Sequence, residues 1–81
     1  MYAVKVSFAN GHSGGNETID IMFYDSPERA VAELLRLVEL RTKLRSDDKP
    51  ILTVESGLPS AYFDYGERGT VTISVSHAPI D

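Results

Sequence analysis

The chain has 81 residues, of which 42% are hydrophobic and 25% are charged, and it carries a formal net charge of −4 without any cysteine. This length accommodates one domain, residues 1–81, and the composition is that of a globular protein and not of a disordered segment. The missing cysteines exclude disulfides and thiolate metal sites, and the acidic balance disfavours nucleic acid as a partner.

The sequence also gives expectations about location and assembly. Met1 leads directly into alternating residues, without the basic region and apolar run of a signal peptide. No segment approaches the roughly 18 apolar residues that cross a bilayer, so we expect a cytoplasmic protein without a membrane partner. Because a core of this size seldom supplies more than about 3–5 kcal/mol, a homodimer is a further expectation.

Two alternating segments open the chain and predict a β-hairpin. Residues 2–9 place Tyr2, Val4, Val6 and Phe8 on one side, which is the period of a half-buried strand. The turn-rich segment 10–16 follows and predicts a loop. Residues 17–24 alternate again, and the more hydrophobic set is expected to face the core. This set is Ile19, Ile21 and Phe23, and the opposite set is Thr18, Asp20, Met22 and Tyr24.

A helix is predicted from Ser26-Pro27 to about Arg45. Ser26 can cap the first free amides, and Pro27 suits the first turn because its missing N–H is not needed there. A broad apolar arc predicts that the helix lies across a sheet; it consists of Ala30, Val31, Leu34, Leu35, Leu37, Val38, Leu40 and Leu44. Arg41 and Arg45 fall near the middle of this arc. Either the helix overhangs the sheet there, or the two stems cover apolar surface while the charged heads reach water, or the arginines are functional.

The second half predicts three more strands. The polar linker 46–50 ends in a proline, residues 51–55 form a short strand, and residues 56–60 interrupt it. Residues 61–65 and 70–76 form the last two strands, with the glycine-containing turn 66–69 between them, and the tail 77–81 is expected to fray. The order β-β-α-β-β-β predicts an α+β domain with a mainly antiparallel sheet and the helix on one face.

No local pattern announces catalysis, a cofactor or a metal site. His12 and His77 have neither a nearby nucleophile nor metal-ligand spacing, and the glycine loop 11–15 lacks the Lys-Ser/Thr of a phosphate-binding loop. The acidic residues Asp20, Glu55, Asp64 and Glu67 have no specific spacing. We therefore expect a protein that is not an enzyme and needs no cofactor.

The sheet face away from the helix is the best interface candidate. On the predicted alternation it carries Lys5, Ser7, Thr18, Asp20, Met22, Tyr24, Thr70, Thr72, Ser74 and Ser76. Met22 and Tyr24 are better suited to a protein interface than to contact with water, although a solvated face is the simpler interpretation. An aromatic and acidic cluster is predicted beside the turn. The candidate partner-binding residues are Met22, Tyr24, Arg41, Arg45, Tyr62, Asp64, Tyr65, Glu67 and Arg68. The alternatives are a small-molecule site that uses loop 10–16 with His12 or Arg41, and a self-assembling structural domain.

The layout of the second half resembles a known class of proteins. A helix opened by Asp25-Ser26-Pro27-Glu28 precedes the strand Ile51-Leu52-Thr53-Val54 led by Pro50, and then a hairpin with a glycine-rich turn at 66–69. Over residues 25–75 this is similar to small bacterial immunity proteins of polymorphic toxin systems. The resemblance implies stoichiometric binding of a toxin or defence effector. Phage-encoded inhibitors of bacterial defence, such as anti-CRISPR proteins, are similarly small and acidic α+β proteins.

Overall fold

The computed structural model describes residues 1–10, 16–44 and 49–78. These residues form β1 (Tyr2–Ala9), β2 (Asn16–Tyr24), α1 (Pro27–Leu44), β3 (Ile51–Glu55), β4 (Leu58–Asp64) and β5 (Thr70–His77). The strands make one antiparallel sheet in the order β2-β1-β5-β4-β3, and α1 packs on one face against β5, β1, β4 and β2. The predicted α+β class and element order are confirmed. In the described part of the chain, no helix is long and apolar enough to cross a membrane.

The start of α1 follows the predicted capping chemistry. The Ser26 hydroxyl accepts a hydrogen bond from the Arg29 N–H at 3.3 Å, and the Ser26 carbonyl accepts one from the Ala30 N–H at 3.2 Å. The face toward the sheet is narrower than the predicted arc. Ala30 and Leu34 are buried, whereas Leu35 and Leu40 remain 53% and 49% exposed at its margins.

The core lies between α1 and the three middle strands of the sheet. The predicted inward set of β5, namely Val71, Ile73 and Val75, is buried as expected. It packs with Val4, Ala30, Leu34, Ala61 and Phe63. The largest fully buried side chains are Phe63 of β4, Leu34 of α1 and Val4 of β1, so the helix and the middle strands together form the centre of the fold.

From Asp20 to Tyr24, the predicted orientation of β2 is wrong. Met22 pairs with Val4 and Tyr24 with Tyr2, and both pack against the core, while Ile21 and Phe23 are 45% and 56% exposed. The pairing with β1 shifts between Val6 and Ser7, because Val6 pairs with Asp20 and Ser7 with Thr18, which leaves Ile19 as an extra residue. A β-bulge of this kind breaks the simple alternation.

The β3–β4 hairpin is tighter than predicted. Residues Ser56 and Gly57 alone form the turn, with φ of +54° and +79°, as a two-residue turn with two left-handed positions requires. Strand β4 therefore begins at Leu58 and includes Pro59. Its pairing with β5 begins only at Ser60, directly after Pro59, which has no N–H to donate to a neighbouring strand.

The β4–β5 connection contains a short 3-10 helix, Gly66–Arg68, and closes through glycine. The Tyr65 N–H donates to the Gly69 carbonyl at 2.9 Å, and the Gly69 N–H donates to the Gly66 carbonyl at 3.1 Å. Gly69 has φ of +113°, and a Cβ at this position would collide with the carbonyl oxygen of Ala9. The hairpin turn predicted here is confirmed, and Gly69 lets it lie against the end of β1.

Candidate functional site

The face of the sheet away from α1, here called the open face, is defined by the strand register. One row across the sheet runs Thr18, Ser7, Thr72, Tyr62, Ile51, and the next runs Ile21, Lys5, Ser74, Ser60, Thr53. A third row contains Phe23, Ala3 and Ser76. Of the residues predicted to lie here, Lys5, Ser7, Thr18 and the Ser/Thr set of β5 share this face.

The open face is a trough whose floor consists mostly of small side chains, with the exposed Lys5 near its centre. Its middle strands β1 and β5 supply mostly alanine, serine and threonine, whereas Ile21 and Phe23 of β2 rise on one side and Tyr62 of β4, 37% exposed, rises on the other. Three strand spacings separate β2 from β4, so the axes of these two strands lie about 14 Å apart. A concavity of about 360 Å³ lies toward one end of it, lined partly by Leu58, Ser60, Ser74 and Ser76.

Met22 and Tyr24 belong to the opposite face and help to hold α1 on β2. The Tyr24 hydroxyl donates to Glu33 Oε2 at 3.1 Å, and Arg36 Nε donates to Glu33 Oε1 at 2.8 Å. The Arg36 guanidinium, and then the Tyr24 hydroxyl, hold the pKa of Glu33 below its usual value, against the opposing effect of burial. Burial and the neighbouring Glu33 raise the pKa of Tyr24. Met22 and Tyr24 thus stabilise the scaffold, and the prediction that these two residues lie on the open face is wrong.

Arg41 lies at the end of the core over two aromatic rings. Its Cζ is 5.6 Å from the ring centroid of Phe63 and 5.7 Å from that of Tyr65, and the two rings stack with centroids 6.4 Å apart. Both contacts are within cation–π range. The Nε of Arg41 is buried, and no described residue accepts a hydrogen bond from it. Arg41 therefore covers apolar surface, as expected if its stem packs on the core, but its charged head lies over the two rings. Arg45 lies outside the described residues.

A cavity open to solvent adjoins this arginine. It measures about 250 Å³ and is lined by Phe8, Ile19, Arg41, Tyr65, Arg68 and Val71. A second cavity of about 290 Å³ shares Ile19 and Arg41 and extends along α1 to Leu37 and Leu40. Among the described residues, ion pairs join Asp25 to Arg29, Glu33 to Arg36 and Glu39 to Lys43, and neither Arg41 nor Arg68 takes part in one. Two cationic side chains thus border one partly apolar cavity.

The predicted aromatic and acidic cluster near the 66–69 turn is divided between the two faces. Tyr62 lies on the open face, whereas Tyr65 stacks on Phe63 beneath Arg41. Asp64 Oδ1 accepts a hydrogen bond from the Gly66 N–H at 2.8 Å, which gives this carboxylate a role in the turn. Glu67 and Arg68 are exposed in the 3-10 helix.

Three residues of these sites were missed by sequence reasoning: Ile21, Phe23 and Phe63. For β2, one usable signal is the hydroxyl of Tyr24, which needs a polar partner when half-buried and finds it on α1. His77 extends β5 and places its ring 4.9 Å from that of Tyr2, whereas His12 lies outside the described residues. No cluster of three or more His, Asp or Glu side chains suited to a metal occurs in residues 1–10, 16–44 and 49–78.

A comparison of the chain with models of protein families, with curated proteins and with solved structures finds no match. The functional conclusion therefore rests on the geometry of the open face and of the Arg41 cavity.

Proposed function

We propose that this chain is a non-enzymatic binding protein that inhibits or neutralises a partner protein through the open face. One observation carries the proposal: Ile21 and Phe23 stand about half exposed on this face, beside a floor of mostly small side chains. Exposed aromatic and aliphatic side chains next to each other are typical of protein interfaces, in which a few such residues supply most of the binding energy.

The shape of the trough favours an α-helix of the partner as the element that binds. A helix with its side chains measures about 10–12 Å across, which is less than the distance of about 14 Å between the axes of β2 and β4. Ala3, Ser7, Ser74 and Ser76 leave space above the floor for a helix. The exposed Lys5, between Ile21 and Ser74, would be a charged contact to it. Ile21 and Phe23 on one side and Tyr62 on the other would then contact the flanks of an amphipathic helix.

An inhibitor is the kind of binding protein that we favour. The chain resembles small immunity proteins in the layout of residues 25–75, and these act by occupying a toxin in a one-to-one complex. A stoichiometric inhibitor needs only a rigid surface, and here the apolar rim residues lie on hydrogen-bonded strands. The partner is accordingly a toxin or a defence effector of the host cell.

Affinity capture from the native host, with matched variants, tests this proposal. We expect the wild-type chain to retain a specific protein and to inhibit its activity after purification, and F23S combined with I21T to lose both effects. The control is L40S, which changes an equally exposed apolar residue on α1, on the opposite side of the sheet, and should keep both. Capture that is equal for all three chains, or no inhibition by the wild type, would contradict the proposal.

The Arg41 cavity favours a second candidate function, the binding of a small organic anion. Arg41 and Arg68 offer guanidinium groups without an ion-pair partner among the described residues, and Phe8, Ile19 and Val71 offer apolar contacts. An aromatic or aliphatic carboxylate combines both requirements.

Benzoate is a suitable probe for this second candidate. We expect millimolar benzoate to raise the melting temperature of the wild type by about 2 °C and to leave that of R41M unchanged. Inorganic phosphate tests whether charge alone suffices. No shift with either anion would remove this candidate and would leave the protein-binding proposal untouched.

A further inference from the structure

The two edges of the sheet differ in how they are protected against pairing with another strand. The β2 edge has a bulge at Ile19 and exposed carboxylates at Glu17 and Asp20, which are features that discourage edge pairing. The β3 edge pairs regularly with β4 along its whole length. All its residues are exposed, including Leu52 at 61% and Val54 at 72%.

The backbone of β3 has free hydrogen-bonding groups in a defined pattern. In a two-residue hairpin, the residues that flank the turn form a hydrogen-bonded pair, here Glu55 with Leu58. Glu55, Thr53 and Ile51 therefore direct their N–H and C=O groups toward β4. Leu52 and Val54 direct theirs outward, away from the sheet. Because outward groups must meet outward groups, only every second register is open to an added antiparallel strand.

We propose that the β3 edge pairs with β3 of a second copy of this chain, antiparallel about a two-fold axis at Leu52. Leu52 then faces its own counterpart, Ile51 faces Thr53, and Val54 faces Pro50 of the other copy. Lys49 faces Glu55 at both ends of the ladder. The result is one continuous ten-stranded sheet with both helices on the same face.

Charge complementarity selects this register and this occupant. With the axis at Leu52, each copy's Lys49 lies opposite the other copy's Glu55, so two cross-strand ion pairs form. With the axis at Thr53, the next permitted register, Glu55 faces Ile51 and Lys49 faces Gly57, and neither charge is paired. The strand thus carries the opposite charge at each end at the spacing that its own antiparallel copy needs.

The backbone and the apolar side chains agree with the same register. Leu52 exchanges two hydrogen bonds with its counterpart, and each Val54 N–H meets the Pro50 carbonyl of the other copy. Pro50 lacks an N–H, so the ladder ends there on both sides. Leu52 and Val54 share the face on which α1 lies, but α1 packs on β1, β2, β4 and β5 and leaves them exposed. Pairing brings these side chains of both copies together at the two-fold axis and removes apolar surface from water.

Sedimentation equilibrium on the full chain tests the proposal. The contact is small, so we expect a dissociation constant on the order of ten micromolar and a change from 8.9 kDa toward twice that mass between about 1 and 500 μM. L52K places two like charges on the axis and should give a monomer at all these concentrations. I19K, a matched change of an exposed residue on the β2 edge, should leave dimerisation unchanged.

A charge exchange tests the register itself. K49E or E55K alone sets like charges opposite each other at both ends, and each should weaken the dimer about tenfold. K49E combined with E55K restores opposite charges and should return the dissociation constant to within about threefold of the wild type. All of these positions are exposed, so the monomer fold is retained, which far-ultraviolet circular dichroism checks. A monomeric wild type, or a double variant as weak as the single ones, would overturn the proposal without affecting the open face.

Discussion

Two neighbouring substitutions on β2 test which side of this strand packs against the core. M22T removes a side chain that packs beneath α1 next to Val4, whereas I21T alters one that is already 45% exposed. Threonine suits a strand at either position, so both variants receive the same side chain and the same β-propensity.

The expected losses differ because the burial differs. Full burial of a methionine contributes about 1.5–3 kcal/mol, and Met22 is partly exposed, so M22T should lower the free energy of unfolding by about 1–2 kcal/mol. I21T should change it by about 0.5 kcal/mol or less. Urea denaturation followed by circular dichroism measures both losses in free energy of unfolding. The dependence of this free energy on urea concentration should be the same for the two variants. A larger loss for I21T than for M22T would refute the β1–β2 register.

Three further perturbations probe the scaffold. G69A should lower the free energy of unfolding by at least about 2 kcal/mol, because its Cβ meets the Ala9 carbonyl. G66A places its Cβ in open space and should lower it by only about 1 kcal/mol. Equal losses would contradict the close approach of Gly69 to Ala9. L34A, at a 1% exposed position, should cost about 2–4 kcal/mol, and its exposed neighbour variant L35A about 0.5 kcal/mol or less in chemical denaturation. Because the pKa of Glu33 is lowered in the folded state, the ionised side chain stabilises the fold above about pH 4.5, and this stabilisation is lost as the pH falls through the lower folded pKa. E33Q should therefore have a smaller free energy of unfolding than the wild type at pH 7. A difference that does not shrink in acid would contradict this.

The elements that sequence reasoning predicted well are those with only one plausible apolar side. The start of α1 followed from Ser26 and Pro27, and the outward and inward sets of β5 followed from the strict alternation of Ser/Thr with Val/Ile. In both cases local chemistry and tertiary packing favour the same arrangement.

Strand β2 shows why the remaining part could not be predicted in the same way. Both of its faces carry large apolar side chains, so hydrophobicity favoured Ile19, Ile21 and Phe23 as the core set. The pairing with β1 and the bulge at Ile19 decide otherwise for Ile21 and Phe23, and a bulge leaves no mark in the periodicity. The open face thus gains Ile21 and Phe23 and loses Met22 and Tyr24.

Arg41 shows a second limit of sequence reasoning. Its position within the apolar arc of α1 indicated a side chain that covers apolar surface. The rings that it covers belong to Phe63 in β4 and to Tyr65 directly after this strand, both more than 20 residues later in the chain. Only the order of strands in the sheet places them under the end of α1, and neither local propensity nor spacing specifies that order.

The exposure of β2 side chains in the free protein is the most direct test of the proposed open-face interface. Methyl NMR spectra recorded with a soluble gadolinium chelate compare the δ-methyl of Ile21 with the ε-methyl of Met22, two adjacent residues on opposite faces. We expect strong paramagnetic broadening of the Ile21 methyl and much weaker broadening of the Met22 methyl. The reverse order would place Met22 on the open face and would contradict the interface proposed here.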